Sequence, residues 1–339
     1  MPNNITRNSN AFHFLTNIRS ENFSHKSIAI IGAGTMATHY ANTLSKMRIE
    51  DVTIISRDKY KINRLCARFN FKPLSGGYEK NMSSLEKKDL IIIATPIHLL
   101  IPATEMASIN GQQNILIEKP ASLYSRKLIS LSKKIKSKKI RIAYNRLLYP
   151  NLYLLKKLIE KDGGITSCTF TFTEWISTIN FKKDKSDAYT FWGIANTLHI
   201  ISMVTELIGF PKKFSSFQHG RLDWHPSGSI FVGSGISKQG IPFSYHGDWT
   251  SSGRWGIEIM TAKNTYRLIP LEELFVCKKG SMKWEKIHFK RSYPDTKPGV
   301  AEEIALMLSN NKPKNLDLPS LRKAAQLNKF AEKIFGYKL

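Results

Sequence analysis

Cysteine is scarce in this sequence, which has only three cysteines in 339 residues. Cys66, Cys168 and Cys277 are far apart and odd in number. This pattern argues against a disulfide framework and against a cysteine-based metal site. We therefore expect a reducing, cytoplasmic setting.

A pattern of metal-ligating side chains is also missing. The histidines and acid that come nearest to a cluster are His219, Asp223, His225 and His246. Their spacing fits neither a zinc nor an iron site, and histidines are common in the loops of sheet domains. We expect the protein to hold no metal.

Long apolar runs are absent as well. The best candidate, Leu90–Ile101, is interrupted by Thr95, Pro96 and His98, whereas a membrane-spanning helix needs roughly 18 apolar residues. We expect no membrane span and no membrane partner. The hydrophobic content of 42% is instead that of a globular chain long enough for two domains.

The first 26 residues lack the apolar core that a secretory signal requires. They are polar and rich in asparagine, and Glu21 is their single acid beside Arg7 and Arg19. This composition leaves an organelle transit peptide open. We interpret residues 1–26 as a loosely ordered polar extension.

Acidic residues are few, with 26 against 51 lysines and arginines, which gives a formal net charge of +25. Such a balance can indicate nucleic acid, an anionic membrane or an anionic small molecule as partner. The lysines are dispersed over the chain, and no nucleic-acid-binding motif accompanies them. We favour a biased composition without a functional role, followed by an anionic substrate or cofactor, and we expect no nucleic-acid partner.

The stretch around which the chain is organised is Ser27–Leu44, SIAIIGAGTMATHYANTL. An apolar run enters a Gly-x-Gly turn, after which a helical pattern with small residues begins. Gly32 suits a tight turn, Gly34 lets backbone N–H groups approach a pyrophosphate, and Ala37 lets the helix pack closely on the strand. The sequence therefore predicts a dinucleotide site, with binding residues Gly32, Gly34, Thr35 and Met36.

A second buried strand, Val52–Ser56, ends about 20 residues beyond the turn, where the adenosine ribose is expected. Ser56 and Arg57 offer a hydroxyl and a guanidinium that suit a 2′-phosphate. This favours NADP over NAD. Asp58 weakens the inference because an acid there could accept from a ribose hydroxyl, and Arg57 could also be a solvated cation.

Two further apolar strands end in residues that could face the nicotinamide half of the cofactor. The strands and the residues at their ends are Asp89–Ala94 with Thr95 and Pro96, and Ile115–Glu118 with Lys119. Open α/β sheets bind ligands at the carboxyl ends of their strands. We therefore expect Thr95, Pro96 and Glu118 to contact the cofactor and Lys119 to lie beside the reactive ring.

The remaining pattern predicts two domains. Residues 27–148 form a doubly wound parallel sheet that includes a helix at Lys61–Phe69, an amphipathic helix at Arg126–Lys138 and a strand at Arg141–Tyr144. Residues 149–318 form a sheet domain with one group of helices, and residues 319–339 form a closing amphipathic helix. The helices expected in the second domain are Asn151–Lys161 and Gly193–Gly209. Its expected strands are Thr166–Trp175, Lys213–Gln218, Ser229–Ser234, Pro242–Gly247, Trp255–Thr261, Thr265–Ile269, Leu274–Lys278 and Trp284–Phe289.

The series GAGTMA, ISRD, IIIATP, LIEKPAS and AYNRLLYP, at these spacings, resembles the glucose–fructose oxidoreductase / inositol dehydrogenase / MocA (Gfo/Idh/MocA) family. The resemblance implies an N-terminal Rossmann domain, a C-terminal α+β domain with an open, mostly antiparallel sheet, and a closing helix that covers the Rossmann domain. It also implies an NAD(P)-dependent oxidoreductase acting on a sugar, sugar nucleotide or polyol. Family members often associate through the open sheet face, so a homo-oligomer is expected.

The resemblance also implies catalytic residues. The lysine of the family's EKP motif is Lys119, and the aligned histidine is His199. The family's Asp, four positions before the His, is Ala195 here, and Asn196 is the nearest polar residue. We expect the substrate pocket to be lined by Tyr144, Asn145, Arg146, Trp192 and Asn196.

Loss of that Asp leaves other functions open. One is a reductase of a non-sugar substrate on the same scaffold, as in biliverdin reductase. Another is a dinucleotide-binding protein that has lost turnover.

Overall fold

The structure, a computed structural model, describes residues 2–135, 139–179 and 187–338. The chain divides into two units. Residues 13–148 and 291–325 form the parallel-sheet unit, and residues 1–12, 149–290 and 326–339 form the mixed-sheet unit. Residues 136–138, at the end of the helix expected at Arg126–Lys138, lie outside the described residues.

Most of residues 2–20 are helical. Helix α1 (Pro2–Thr16) is followed by a 3₁₀ turn at residues 18–20. The interpretation of this stretch as loosely ordered is wrong, because Ala11, Leu15 and Ile18 are buried. The hydroxyl of Ser292 donates to the Leu15 carbonyl at 3.1 Å and accepts from the Ile18 N–H at 3.0 Å.

A six-stranded parallel sheet forms the core of the parallel-sheet unit. In chain order its elements are β1 (Ser27–Ile31), α2 (Thr35–Lys46), β2 (Asp51–Ser56), α3 (Lys59–Phe69), β3 (Lys72–Ser75), α4 (Gly77–Asn81), β4 (Leu90–Ile93), α5 (Ile97–Ile109), β5 (Asn114–Glu118), α6 (Ser125–Lys134) and β6 (Lys139–Ala143). The strand order is β3-β2-β1-β4-β5-β6. The order reverses between β1 and β4, where doubly wound sheets bind ligands. This confirms the predicted fold class.

The central strand β4 consists only of leucine and isoleucine, and three of the five residues of β1 are isoleucine, because both faces of a parallel sheet are covered. Every residue of β4 is buried. The sequence pattern therefore located these strands well. It missed β3, whose residues Lys72–Ser75 are mostly exposed at the sheet edge.

An eight-stranded sheet organises the mixed-sheet unit. Its elements begin with α7 (Pro150–Lys161), β7 (Ile165–Phe172), α8 (Asp187–Thr190), α9 (Trp192–Ala195) and α10 (Leu198–Ile208). They continue with β8 (Pro211–His219), β9 (Ile230–Ser237), β10 (Pro242–Asp248), β11 (Trp255–Thr261), β12 (Asn264–Leu268), β13 (Phe275–Lys278) and β14 (Glu285–Lys286). The order is β14-β13-β12-β11-β7-β10-β9-β8, and among these pairs only β7 and β10 are parallel. The expected helix at residues 193–209 is interrupted at Asn196 and Thr197.

The chain contributes two more helices after the large sheet, α11 (Val300–Leu308) and α12 (Leu321–Phe335). Helix α11 belongs to the parallel-sheet unit, which the chain rejoins at residue 291 and not at the predicted boundary after residue 318. From residue 326 onward, α12 belongs to the mixed-sheet unit, where Phe330 contacts Phe214 at 5.2 Å and Phe335 contacts Phe231 at 4.9 Å between ring centroids. This differs from the expectation that the whole closing helix covers the Rossmann domain.

Candidate functional site

The glycine turn after β1 is shaped by two different constraints. Gly32 has φ of 123°, and a Cβ there would lie 2.3 Å from the carbonyl oxygen of Ala94, so a side chain is excluded. At Gly34 a Cβ would meet no atom within 4 Å. The turn is therefore closed on the side of β4 and open in front of helix α2.

Helix α2 presents its N-terminus to this open space. Gly34 is its N-cap, no side chain caps it, and its first turn contains no acid. Thr35 and Met36 are its first two residues, and Ala37 is fully buried against the unit's core. The exposed N–H groups and the helix dipole suit an anion such as a pyrophosphate.

After the end of β2, the Asp58 side chain interacts with the first turn of helix α3. Asp58 caps α3 by accepting from the Lys61 N–H at 2.9 Å, and its carboxylate pairs with Lys61 Nζ at 3.2 Å. These contacts with Lys61 lower the pKa of Asp58. Ser56 is half-buried and Arg57 exposed, and the Arg57 side chain lies over the backbone of Gly77, where a Cβ would be 2.7 Å from its Cγ.

Thr95 and Lys119 follow the neighbouring strands β4 and β5, as the sequence predicts. Thr95 and Lys119 are half-buried, and Pro96 is the exposed N-cap of α5. Behind Lys119 the chain turns sharply, with Ala121 at φ of 64° and its N–H donating to the Glu118 carbonyl at 3.0 Å. The parallel-sheet unit thus brings these predicted residues to one edge of the sheet.

Glu118 is directed into the interior. Its Oε1 accepts a hydrogen bond of 2.7 Å from the Tyr40 hydroxyl, which also lies 3.3 Å from Glu303 Oε2. Burial raises the pKa of Glu118 against the opposing influence of the Tyr40 bond and of Lys119, and it raises that of Glu303 well above its usual range. The predicted cofactor contact of Glu118 stays a prediction. Tyr40 and Glu303 were missed by the sequence analysis because nothing in their local pattern pairs them.

The expected substrate residues after β6 are mostly buried. Tyr144 is fully buried, and its hydroxyl has no hydrogen-bond partner among the described residues. Asn145 donates from Nδ2 to the Pro298 carbonyl at 2.8 Å, which ties the end of β6 to the loop before α11. Arg146 is half-buried. Their role toward a substrate stays a prediction.

In the mixed-sheet unit the predicted catalytic histidine begins a helix. His199 is the second residue of α10 and is half-buried, with its ring centroid 5.9 Å from that of Trp255. Ala195 is buried at the end of α9. Trp192, expected to stack on a sugar, is half-buried and lies 5.9 Å from the Tyr189 ring in a stacked arrangement.

The sequence analysis missed a buried acid beside this helix, Glu174, which follows β7 and is 2% exposed. It accepts from Asn196 Nδ2 at 2.8 Å, from Thr197 Oγ1 at 2.7 Å and from Trp255 Nε1 at 3.1 Å. A guanidinium nitrogen of Arg254 lies 3.8 Å away. Burial raises the pKa of Glu174, which these donors and Arg254 oppose.

The remaining histidines and cysteines form no metal cluster in the part of the chain that the structure describes. His225 contacts the Gly228 carbonyl at 2.8 Å and the Tyr337 hydroxyl at 2.7 Å, and burial lowers its pKa to about 4.

Within residues 2–135, 139–179 and 187–338, no helix is long and apolar enough to span a membrane.

Comparison with protein families gives a partial match. Residues 15–117 match the Shikimate / quinate 5-dehydrogenase family, which is less than half of the chain. This stretch contains the glycine turn and strands β1 to β5 almost completely. No curated protein matches the sequence.

Solved structures share the fold over nearly the whole chain. Levoglucosan dehydrogenase in complex with NADH is 17% identical, with a TM-score of 0.71 over 91% of this chain and 95% of that one. UDP-N-acetylglucosamine 3-dehydrogenase GnnA from Acidithiobacillus ferrooxidans is 13% identical, with a TM-score of 0.69 over 92% of this chain and 97% of that one. An oxidoreductase from Agrobacterium radiobacter in complex with NAD⁺, L-tartaric acid and magnesium is 13% identical, with a TM-score of 0.73 over 91% of this chain and 94% of that one. At these identities the likeness shows a common two-domain fold.

Proposed function

We propose that the protein is an NAD(P)-dependent oxidoreductase of the Gfo/Idh/MocA type. It transfers a hydride between the nicotinamide and a hydroxyl or carbonyl group of a sugar, sugar nucleotide or polyol. The observation that carries the proposal is the open space at Gly34 in front of the uncapped helix α2, next to the strand ends that bear Thr95 and Lys119. The sugar and sugar-nucleotide dehydrogenases with the same fold support the substrate class.

The residues present fit a nicotinamide dinucleotide, which supplies the hydride-transferring group when bound. The backbone at Gly32, Gly34, Thr35 and Met36 would hold the pyrophosphate, Ser56 and Arg57 the adenosine ribose, and Thr95, Pro96 and Glu118 the nicotinamide half. Because the Asp58 carboxylate caps α3, it is engaged away from a ribose hydroxyl. This supports a preference for NADP over NAD.

Lys119 and His199 would move the proton of the reacting hydroxyl. A lysine or histidine positioned at a hydroxyl can act as general base in oxidation and general acid in reduction. Tyr144, Asn145, Arg146, Trp192 and Asn196 would orient the substrate. The dispersed positive charge is compatible with an anionic substrate.

The test is a cofactor and substrate screen with the purified protein. NADPH and NADH binding are measured by protein fluorescence. Turnover is then followed at the nicotinamide absorbance with sugars, sugar nucleotides and polyols, and with non-sugar compounds that carry a reducible C=O, C=C or C=N bond. We expect cofactor binding and turnover of at least one polyhydroxylated compound. Binding without turnover across this panel would favour a non-catalytic dinucleotide-binding protein. Reduction of only the non-sugar compounds would favour the biliverdin-reductase-like alternative.

We also propose that the protein is a cytoplasmic homo-oligomer that associates through the open face of the eight-stranded sheet. Phe217 and Val232 are directly opposite each other on β8 and β9, and they are 65% and 36% exposed. Exposed apolar neighbours on a sheet face are typical of interaction surfaces.

A further inference from the structure

Glu174 collects hydrogen bonds from two separate segments of the mixed-sheet unit. Asn196 and Thr197 come from the segment that leads into α10, and Trp255 begins β11. All three donors are side chains. A carboxylate removed from water is tolerated only when it is paired in this way, and the donors are then held in one arrangement.

The segment that carries His199 has no carboxylate of its own. Residues 192–199 read WGIANTLH, and the first turn of α10 contains no acid. Glu174, which follows β7, therefore brings a carboxylate to this segment from another part of the unit. Its contact with Trp255 Nε1 also fixes the indole beside which the His199 ring lies.

The contact with Asn196 determines which end of the amide is available. An asparagine side chain has two N–H donors and one carbonyl acceptor. Because Nδ2 donates to Glu174 Oε2 at 2.8 Å, Oδ1 is turned away from the carboxylate. Asn196 is half-buried, so this oxygen can accept a hydrogen bond from a hydroxyl group of a bound substrate.

We propose that Glu174 is the positioning residue for Asn196 and His199, fixing the Asn196 amide so that Oδ1 remains available as an acceptor and holding the Trp255 indole beside His199. The proposal rests on the proposed function and assigns to Asn196 Oδ1 the role of accepting a hydrogen bond from a hydroxyl group of the substrate.

The decisive variant is Glu174→Gln. A glutamine can still accept from Thr197 and Trp255 through Oε1, but its Nε2 then faces Asn196, which must rotate its amide to place Oδ1 toward the glutamine. Asn196 would then present a donor to the substrate in place of an acceptor. We expect kcat/KM to fall at least tenfold, mainly through KM, with the Kd for NADPH unchanged within twofold.

The exchanged pair Glu174→Gln/Asn196→Asp tests this assignment directly. The introduced glutamine amide can donate to the introduced aspartate, whose second oxygen again faces the substrate as an acceptor. We expect the exchange to recover at least half of the lost kcat/KM. Glu302→Gln, which removes another buried carboxyl group from the other unit, is the matched control and should leave kcat/KM unchanged.

A second readout does not need a substrate. With ¹⁵N-labelled asparagine, the Asn196 side-chain amide is assigned by its absence in Asn196→Asp, and its hydrogen exchange is measured. We expect exchange to be at least tenfold slower in the wild type and in Glu302→Gln than in Glu174→Gln. Fast exchange in the wild type overturns the proposal whether or not a substrate has been found.

The kinetic measurements can also overturn the proposal. Wild-type kcat/KM in Glu174→Gln, or a loss that only follows a lowered melting temperature, overturns the positioning role. Absence of turnover in the wild type with slow Asn196 exchange would instead overturn the proposed function and leave the Glu174–Asn196 geometry standing.

Discussion

Tyr40 donates a hydrogen bond of 2.7 Å to Glu118 Oε1, and this bond connects the helix that begins at the glycine turn with the strand that precedes Lys119. Both side chains are buried. The same hydroxyl lies 3.3 Å from Glu303 Oε2, so one phenol serves two buried carboxyl groups. Removing the Tyr40 hydroxyl leaves the buried Glu118 Oε1 without its hydrogen-bond donor.

Tyr40→Phe should lower the free energy of unfolding by about 1 to 3 kcal/mol, the usual cost of leaving a buried polar group unsatisfied. Tyr144→Phe is the matched control, because Tyr144 is also fully buried in the parallel-sheet unit and its hydroxyl has no partner among the described residues. That change should be neutral or stabilising. Urea unfolding followed by circular dichroism measures both, and equal effects would show that the Tyr40 bond contributes nothing.

Glu302 should make stability depend on pH. Burial raises its pKa from 4.5 to about 7, so the folded protein binds more protons than the unfolded chain between these values. Glu302 therefore contributes about 3 kcal/mol to the free energy of unfolding below pH 4.5. This contribution is lost as the pH rises through 7. Glu303 acts in the same direction.

The test compares wild type and Glu302→Gln in thermal unfolding at pH 5 and pH 8. The glutamine cannot ionise, so the variant should lose less stability over this interval than the wild type. Burying the glutamine amide changes the free energy of unfolding by the same amount at both pH values, so this effect cancels when the two pH values are compared. Parallel pH profiles for the two proteins would contradict the prediction.

The fold was predictable wherever apolar periodicity was strong. The bounds of β11, Trp255–Thr261, match the prediction, and β4 differs only at its ends. Helix α1 was missed because its asparagine-rich sequence has poor helix propensity, and packing of Ala11 and Leu15 stabilises it instead. Helix α11 was missed because it is buried on all sides, acids included, and shows no amphipathic face.

The site was predictable where function depends on backbone conformation or on strand ends. Gly32 and Lys119 lie where local pattern and sheet topology place them. Glu174 was not predictable, because an acid after a strand resembles a solvated loop residue. Its importance comes from Asn196, Thr197 and Trp255, which only tertiary structure brings to it.

Arg57 should determine cofactor preference. A charge-assisted contact with a 2′-phosphate contributes roughly 1.5 to 3 kcal/mol, so Arg57→Ala should weaken NADPH binding about ten- to a hundredfold and leave NADH binding unchanged. Arg64→Ala, which removes an exposed arginine from α3, controls for the loss of one charge. Fluorescence titration decides the matter, and equal wild-type affinities for the two cofactors would refute the preference.

Phe217→Asp should dissociate the proposed oligomer, because it places a charge in the apolar patch formed with Val232. Size-exclusion chromatography with light scattering should show a smaller species than the wild type at the same concentration. Met282→Asp changes an exposed apolar residue outside that strand pair and should have no effect. A monomeric wild type would contradict the proposal at once.

Lys119→Ala should lower turnover by at least about 10², the smaller contribution expected of a general acid–base group, with cofactor affinity nearly unchanged. The lysine follows a buried strand at the carboxyl edge of the parallel sheet, where a nicotinamide ring would lie. His199→Ala should have a similar but smaller effect. Lys134→Ala, which removes an exposed lysine paired with Glu105, should retain full activity. With a substrate in hand, stopped-flow measurement of hydride transfer separates chemistry from binding, and near wild-type turnover in Lys119→Ala would remove this lysine from the mechanism.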